Sequence, residues 1–164
     1  MREQLDFATI LYNKGLYRQS LKILDKAKKN ALDYQENQIA FEIVEFEKII
    51  ETQYITRSLD SRANNLSQLS KELSEKNELS SKLSNLSLQL YSFLLKNGYA
   101  KNKEDLDQTQ NYFKEHLPDL DLENLNFKER QQLYMAQVWY RFIIQDFTGS
   151  YKYCLLYTSD AADD

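Results

Sequence analysis

The chain has 164 residues, with 21 Lys and Arg against 25 Asp and Glu, one histidine and one cysteine. A formal charge of −4 gives no electrostatic footing for nucleic acid or an anionic membrane, and a lone cysteine excludes a disulfide framework within the chain. Three glycines and one proline are far below ordinary usage, while Leu, Lys, Glu, Gln and Ala fill the stretches between them, so the composition is that of an all-α protein.

The first predicted helix covers Arg2–Asn13 and carries Leu5, Phe7, Ile10, Leu11 and Tyr12. It stops at Gly15, because glycine just past a helix end adopts the left-handed conformation that closes the last turn. The second, Tyr17–Asp33, carries Leu21, Leu24, Ala27 and Leu32 at helical spacing. The third, residues 36–54, sets Ile39, Ile43, Phe46 and Ile50 three or four apart as one buried stripe, with Glu42, Glu45, Glu47 and Glu51 read as its solvated outer face.

Leucines then continue in two runs, Leu66, Leu69 and Leu73 over residues 59–76, and Leu79, Leu83, Leu86 and Leu90 with Phe93 over residues 77–97. The slip in phase near Lys76 and Asn77 predicts two helices there and weighs against one unbroken coiled-coil seam. Gly98 ends the second run. Asn102, with Asp105 three residues on, announces a helix over Lys103–His116 that Pro118 stops. Asn126 with Glu129 caps another, predicted to run to Phe147, with Gly149 as its C-cap and a last helix from Ser150.

Pairing these segments gives helix hairpins over residues 2–33, 36–76, 77–117 and 127–153, one helical repeat domain over residues 1–153. In the first hairpin Ala8 is a small residue within helix one, Gly15 and Tyr17 form the turn, and Ser20, Leu24 and Ala27 interleave small and large side chains on helix two. This pattern resembles the tetratricopeptide repeat (TPR) family. Gln4 stands where that family has a bulky aromatic, and Leu32 where it often has proline. The later hairpins keep the turn alone, at Gly98 and Tyr99 and at Gly149, Ser150 and Tyr151. The intervals between Gly15, Gly98 and Gly149 are not multiples of the 34-residue period.

The resemblance implies a TPR-like α-solenoid, an array of antiparallel helix hairpins whose last member is cut short. It also implies a non-catalytic scaffold that takes a protein or peptide in a concave groove lined by the first helices. On the first hairpin the groove positions are Arg2, Leu5, Thr9, Tyr12 and Asn13. Leu5 and Thr9 occupy the places where some members clamp a terminal carboxylate with a basic residue and an asparagine. Tyr134 and Trp139 add two groove candidates, because aromatics on opposite faces of one helix cannot all enter one seam.

Nothing else in the chain points to chemistry. His116 reads as a surface cap at a helix end. Asp119, Asp121 and Glu123 lack the glycine and the ligand spacing of a calcium loop. Lys22, Lys26, Lys28 and Lys29 read as a solvated face and not a nucleic-acid site. No phosphate loop, nucleophile motif or metal pattern occurs. The expectation is a protein that is no enzyme, with no cofactor and no metal. The competing expectation is the sensory or oligomerising part of a bacterial regulator whose effector domain lies outside this sequence.

Residues 1–6 lack the basic start and apolar run of a secretory signal, and the densest apolar stretch, residues 138–144, is interrupted by Arg141. A cytoplasmic protein is expected. The last eleven residues, from Cys154 to Asp164, resemble the translation of a transposase adapter used in preparing sequencing libraries. On that reading the natural chain ends near Tyr153, the only cysteine and three of the acidic residues are not native, the apolar residues 154–157 can extend the last helix, and residues 158–164 are exposed and unpacked.

Overall fold

The computed structural model describes residues 1–54 and 60–160. The turn expected between the helices of the second hairpin, and the last four residues of the tail, lie outside them. Among the described residues there are seven α-helices: α1 (Arg2–Asn13), α2 (Tyr17–Asp33), α3 (Asn37–Tyr54), α4 (Asp60–Asn97), α5 (Lys103–His116), α6 (Phe127–Ile143) and α7 (Phe147–Asp160). A single 3-10 turn, Leu122–Asn124, interrupts the α5–α6 connection, and no strand occurs among the described residues. The contacts divide the chain into two compact units, Met1–Asn77 and Glu78–Asp164.

In the first unit α1 packs on α2 and α2 on α3. The core is built from small and branched residues, Ala8, Leu24, Ala27, Ala31, Ala40, Ile43, Val44 and Ile50, joined by Leu66 and Leu73 of α4. Ala8 and Ser20 let the first two helices approach until the Ser20 hydroxyl donates to the Ala8 carbonyl at 2.8 Å. Each large aliphatic side chain fully buried here contributes roughly 1.5–3 kcal/mol.

The α1–α2 and α2–α3 connections use the same closure. After α1, Gly15 N–H donates to the Tyr12 carbonyl (2.9 Å) and Leu16 N–H to the Leu11 carbonyl (2.9 Å), the Schellman pattern, with Gly15 at φ +75°. After α2 the same two bonds run from Gln35 to Leu32 and from Glu36 to Ala31, and the left-handed residue is Gln35 at φ 54°. No glycine marks this turn, so sequence alone gives no sign of its geometry.

The two helices expected over residues 59–76 and 77–97 are one helix. α4 carries no glycine or proline, and its serines cost only a few tenths of a kcal/mol each in propensity. Pairs one turn apart, Glu78 with Lys82 (2.7 Å) and Gln68 with Glu72 (3.0 Å), lie near the expected break. Leu66 and Leu73 are buried in the first unit's core, and Leu83, Leu86 and Leu90 in the cores of the second. The slip in the leucine pattern marks the passage from one core to the other, not a break in the helix.

The second unit packs α5 and α7 against α6. Its caps follow the sequence closely. Asn102 accepts from Asp105 N–H at 2.8 Å, and Asn126 and Glu129 form a complete reciprocal capping box. Gly98, at φ +75°, closes α4 with a single bond from its N–H to the Leu94 carbonyl (2.9 Å). Phe113 stacks on Tyr140 at 4.1 Å beside buried Ala136 and Ile143.

The α6–α7 turn differs from expectation. α6 ends at Ile143, and the left-handed residue is Gln145 (φ 64°), not Gly149. Gln145 N–H donates to Phe142 (3.2 Å) and Asp146 N–H to Arg141 (2.9 Å), a third Schellman closure. The Gln145 side chain also donates to the Ala100 carbonyl at 2.9 Å, which fixes the Gly98–Ala100 loop to this corner. Gly149 lies in the first turn of α7, where a Cβ would run into Asp146 Oδ2 and come within 2.7 Å of Arg141 Nη1. A Cβ there would make these two side chains shift, and the residue takes no part in the turn. α7 begins at Phe147 rather than Ser150 and continues through Asp160, so the first seven residues of the expected tail are helical, with Thr158 and Ser159 exposed.

Candidate functional site

In the first unit, side chains of α1 meet side chains of α3 along one face. Tyr12 stands at its centre: its ring lies edge-on to Tyr17 (5.7 Å between centroids) and to Phe46 of α3 (5.2 Å). Leu5 is half-buried against the same core. Arg2, at the start of α1, pairs with Glu42 of α3. Thr9 is exposed, its hydroxyl turned to the Leu5 carbonyl at 2.9 Å, and Asn13 is exposed at the helix end. All five sequence-derived positions therefore sit on α1, three of them anchored by side chains or core and two open to solvent. On α3, Glu45 bonds Lys48 (2.7 Å) and accepts from Ser70 of α4 (2.6 Å), and these bonds, Lys48 foremost, hold its carboxyl below the ordinary glutamate range.

Beneath this face lies a cluster of charge that the sequence reading placed in solvent. Glu47 is fully buried, and Lys28 Nζ of α2 donates to its Oε2 at 2.5 Å. Lys28 also reaches Asp25 Oδ1 (3.3 Å), which Arg62 of α4 approaches at 3.5 Å, while Arg62 Nε pairs with Glu51 at 2.6 Å. Neither Glu47 and Glu51 on the outer face nor Lys28 in a solvated lysine cluster survives. Glu47 follows Ile43 by four residues and precedes Ile50 by three, so it falls on the buried stripe itself, a signal already in the sequence.

No known protein family matches the chain, and neither a curated protein nor a solved structure matches it.

In the second unit Tyr134 and Trp139 are half-buried and meet different neighbours. Trp139 packs against Tyr91 of α4 at 4.8 Å beside the Leu86–Leu90 core. Tyr134 lies 6.2 Å from Tyr153 and lines a cleft of about 580 Å³ with Lys114, Leu117, Leu120 and Arg130. Tyr151 of α7 is exposed. The Ser150 hydroxyl donates to the Val138 carbonyl at 3.2 Å, and Phe142 meets Phe147 edge-on at 5.4 Å. These two contacts repeat the Ser20–Ala8 and Tyr12–Tyr17 contacts of the first helix pair in the same register relative to the turn.

His116 is exposed at the end of α5, its Nδ1 lying 2.9 Å from the Tyr112 carbonyl and its ring stacked on Tyr112 at 4.0 Å. Among the described residues no group of three His, Cys, Asp or Glu side chains is placed to hold a metal ion, and no helix is long and apolar enough to cross a membrane.

Proposed function

We propose that this chain is a non-catalytic protein–protein interaction module of the helical-repeat kind, and that the α1–α3 face of its first unit receives a peptide or a partner helix. The observation that carries the reading is the composition of that face: an aromatic cluster of Tyr12, Tyr17 and Phe46, an ion pair of Arg2 with Glu42, and an open stretch at Thr9 and Asn13. Rigid aromatic anchors beside hydrogen-bonding groups are what concentrates binding energy in such surfaces. The recurrence of one turn, one serine-to-carbonyl bond and one edge-on aromatic pair in α1–α2 and α6–α7 supports a repeat related to the TPR pattern. Residues 154–160 then extend α7 as adapter-derived sequence without belonging to the repeat.

The test is selection of binders from a random-peptide display library by the full chain, followed by counter-selection on Thr9→Arg. The reading expects peptides that bind the wild type and lose at least tenfold in affinity on Thr9→Arg. Binders indifferent to Thr9→Arg and to Tyr12→Ala would remove the face from consideration.

A second observation favours an oligomerising role. Leu88, Tyr91 and Leu95 of α4 are exposed to 62%, 39% and 69% and recur at coiled-coil spacing. On this reading a second copy pairs along the strip, and Leu88→Glu with Leu95→Glu converts a dimer to a monomer in sedimentation.

A further inference from the structure

The charged cluster of the first unit is unbalanced. Glu47 is faced by Lys28 and Asp25 from α2, and through Asp25 it is linked to Arg62 of α4, which also pairs with Glu51. Three carboxylates share two cations. Of the Glu47 carboxylate, Oε2 accepts from Lys28 while Oε1 is buried with no hydrogen-bond partner, and Glu51 Oε2 is in the same condition. An ionised carboxylate with one buried oxygen that no protein donor matches is costly, and the cheapest remedies are a proton or opening of the helix interface.

We propose that Glu47 is a proton-binding site built into the α2–α3 interface, so that uptake of one proton locks the two helices together and its loss loosens them. The lock has its cation in Lys28. With Glu47 ionised, Lys28 is drawn to Oε2 at 2.5 Å and holds Asp25 only at 3.3 Å. With Glu47 neutral, Lys28 is released toward Asp25, and the cluster carries two cations against two carboxylates. Burial pushes the Glu47 carboxyl up to about 7, against the lowering effect of Lys28, which sets the exchange near neutral pH. Since α3 also supplies Glu42 and Phe46 to the α1–α3 face, loosening α3 alters that face without any ligand touching Glu47.

The experiment is a carbon-detected NMR titration of the glutamate side-chain carboxyls in the full chain, with amide hydrogen exchange measured at about pH 5.5 and about pH 8. The Glu47 carboxyl is expected to titrate more than one pH unit above the exposed glutamates. Protection in α2 and α3, corrected for intrinsic exchange, is expected to be about tenfold or more greater at the lower pH, a ratio that one unit of pKa shift supplies. The Glu47→Gln variant is expected to abolish that difference, while α6 and α7 serve as the internal control. A Glu47 carboxyl that titrates with the others, equal protection at both pH values, or a pH dependence retained in Glu47→Gln would each overturn the proposal. Should Glu47→Gln fail to fold, the two wild-type measurements decide alone.

Discussion

The hydroxyl of Ser20 lies 2.8 Å from the carbonyl oxygen of Ala8, and both residues are fully buried. The bond forms because two small residues face each other, and it satisfies a hydroxyl that burial would otherwise strand. Ser150 makes the corresponding bond to Val138 at 3.2 Å. Ser20→Ala is expected to destabilise the first unit by about 0.5–1.5 kcal/mol, and Ser150→Ala, with its longer bond, by less. Thermal unfolding of the two variants beside wild type checks the order.

The two left-handed glutamines separate conformational cost from side-chain bonding. An L-residue in this region pays roughly 1–2 kcal/mol that glycine does not. Gln35→Gly is therefore expected to stabilise by about 0.5–1 kcal/mol after glycine's larger unfolded entropy is subtracted. Gln145→Gly gains the same relief but loses the bond to the Ala100 carbonyl, so its net effect is expected near zero. Chemical denaturation midpoints of both variants give the comparison.

Gly149 offers the reverse case. Glycine to alanine inside a helix ordinarily gains about 1 kcal/mol. Here the new Cβ would displace Asp146, whose carboxylate accepts from Gly149 N–H at 2.9 Å and pairs with Arg141 at 2.5 Å. Those bonds, the Gly149 N–H first, hold the Asp146 carboxyl below its ordinary range. Gly149→Ala is expected to give no gain in wild type and a clear gain in an Asp146→Ala background. A double-mutant cycle that comes out additive would contradict the crowding.

Replacing the buried pair tests its energetic sign. The folded-state carboxyl of Glu47 is raised from 4.5 to about 7, so its contribution to stability is fully present below pH 4.5 and lost as pH rises through 7. Lys28→Met with Glu47→Leu removes both charges, and is expected to match or exceed wild type by about 1–3 kcal/mol at pH 8, with a smaller advantage at about pH 5.5. Lys28→Met alone leaves the fully buried Glu47 without its cation, and is expected to be the least stable of the three at pH 8. Urea unfolding at the two pH values resolves all three.

Much of the fold was legible because its signals are local. Gly15, Gly98, Asn102 and Asn126 each act through a bond within a few residues, and each falls where the pattern put it. The misreadings have physical causes. Gly149 is not the turn residue, because the left-handed position falls on Gln145, a conformation that its residue type does not advertise. α4 hid its continuity because two leucine runs that belong to different cores leave the same slip as a break between two helices. At the candidate face Tyr12 was identified from sequence, but its partner Phe46 was read only as core, since a contact between residues of different helices has no periodic signature.

The most direct measurement is an amide chemical-shift map of the full chain titrated with a peptide selected on it. If the α1–α3 face is the binding surface, the shifts concentrate on Leu5, Thr9, Tyr12 and Asn13 of α1 and on the turns of α3 that carry Glu42 and Phe46, and Thr9→Arg abolishes them. Shifts confined to α6 and α7, with α1 and α3 unmoved, would contradict it.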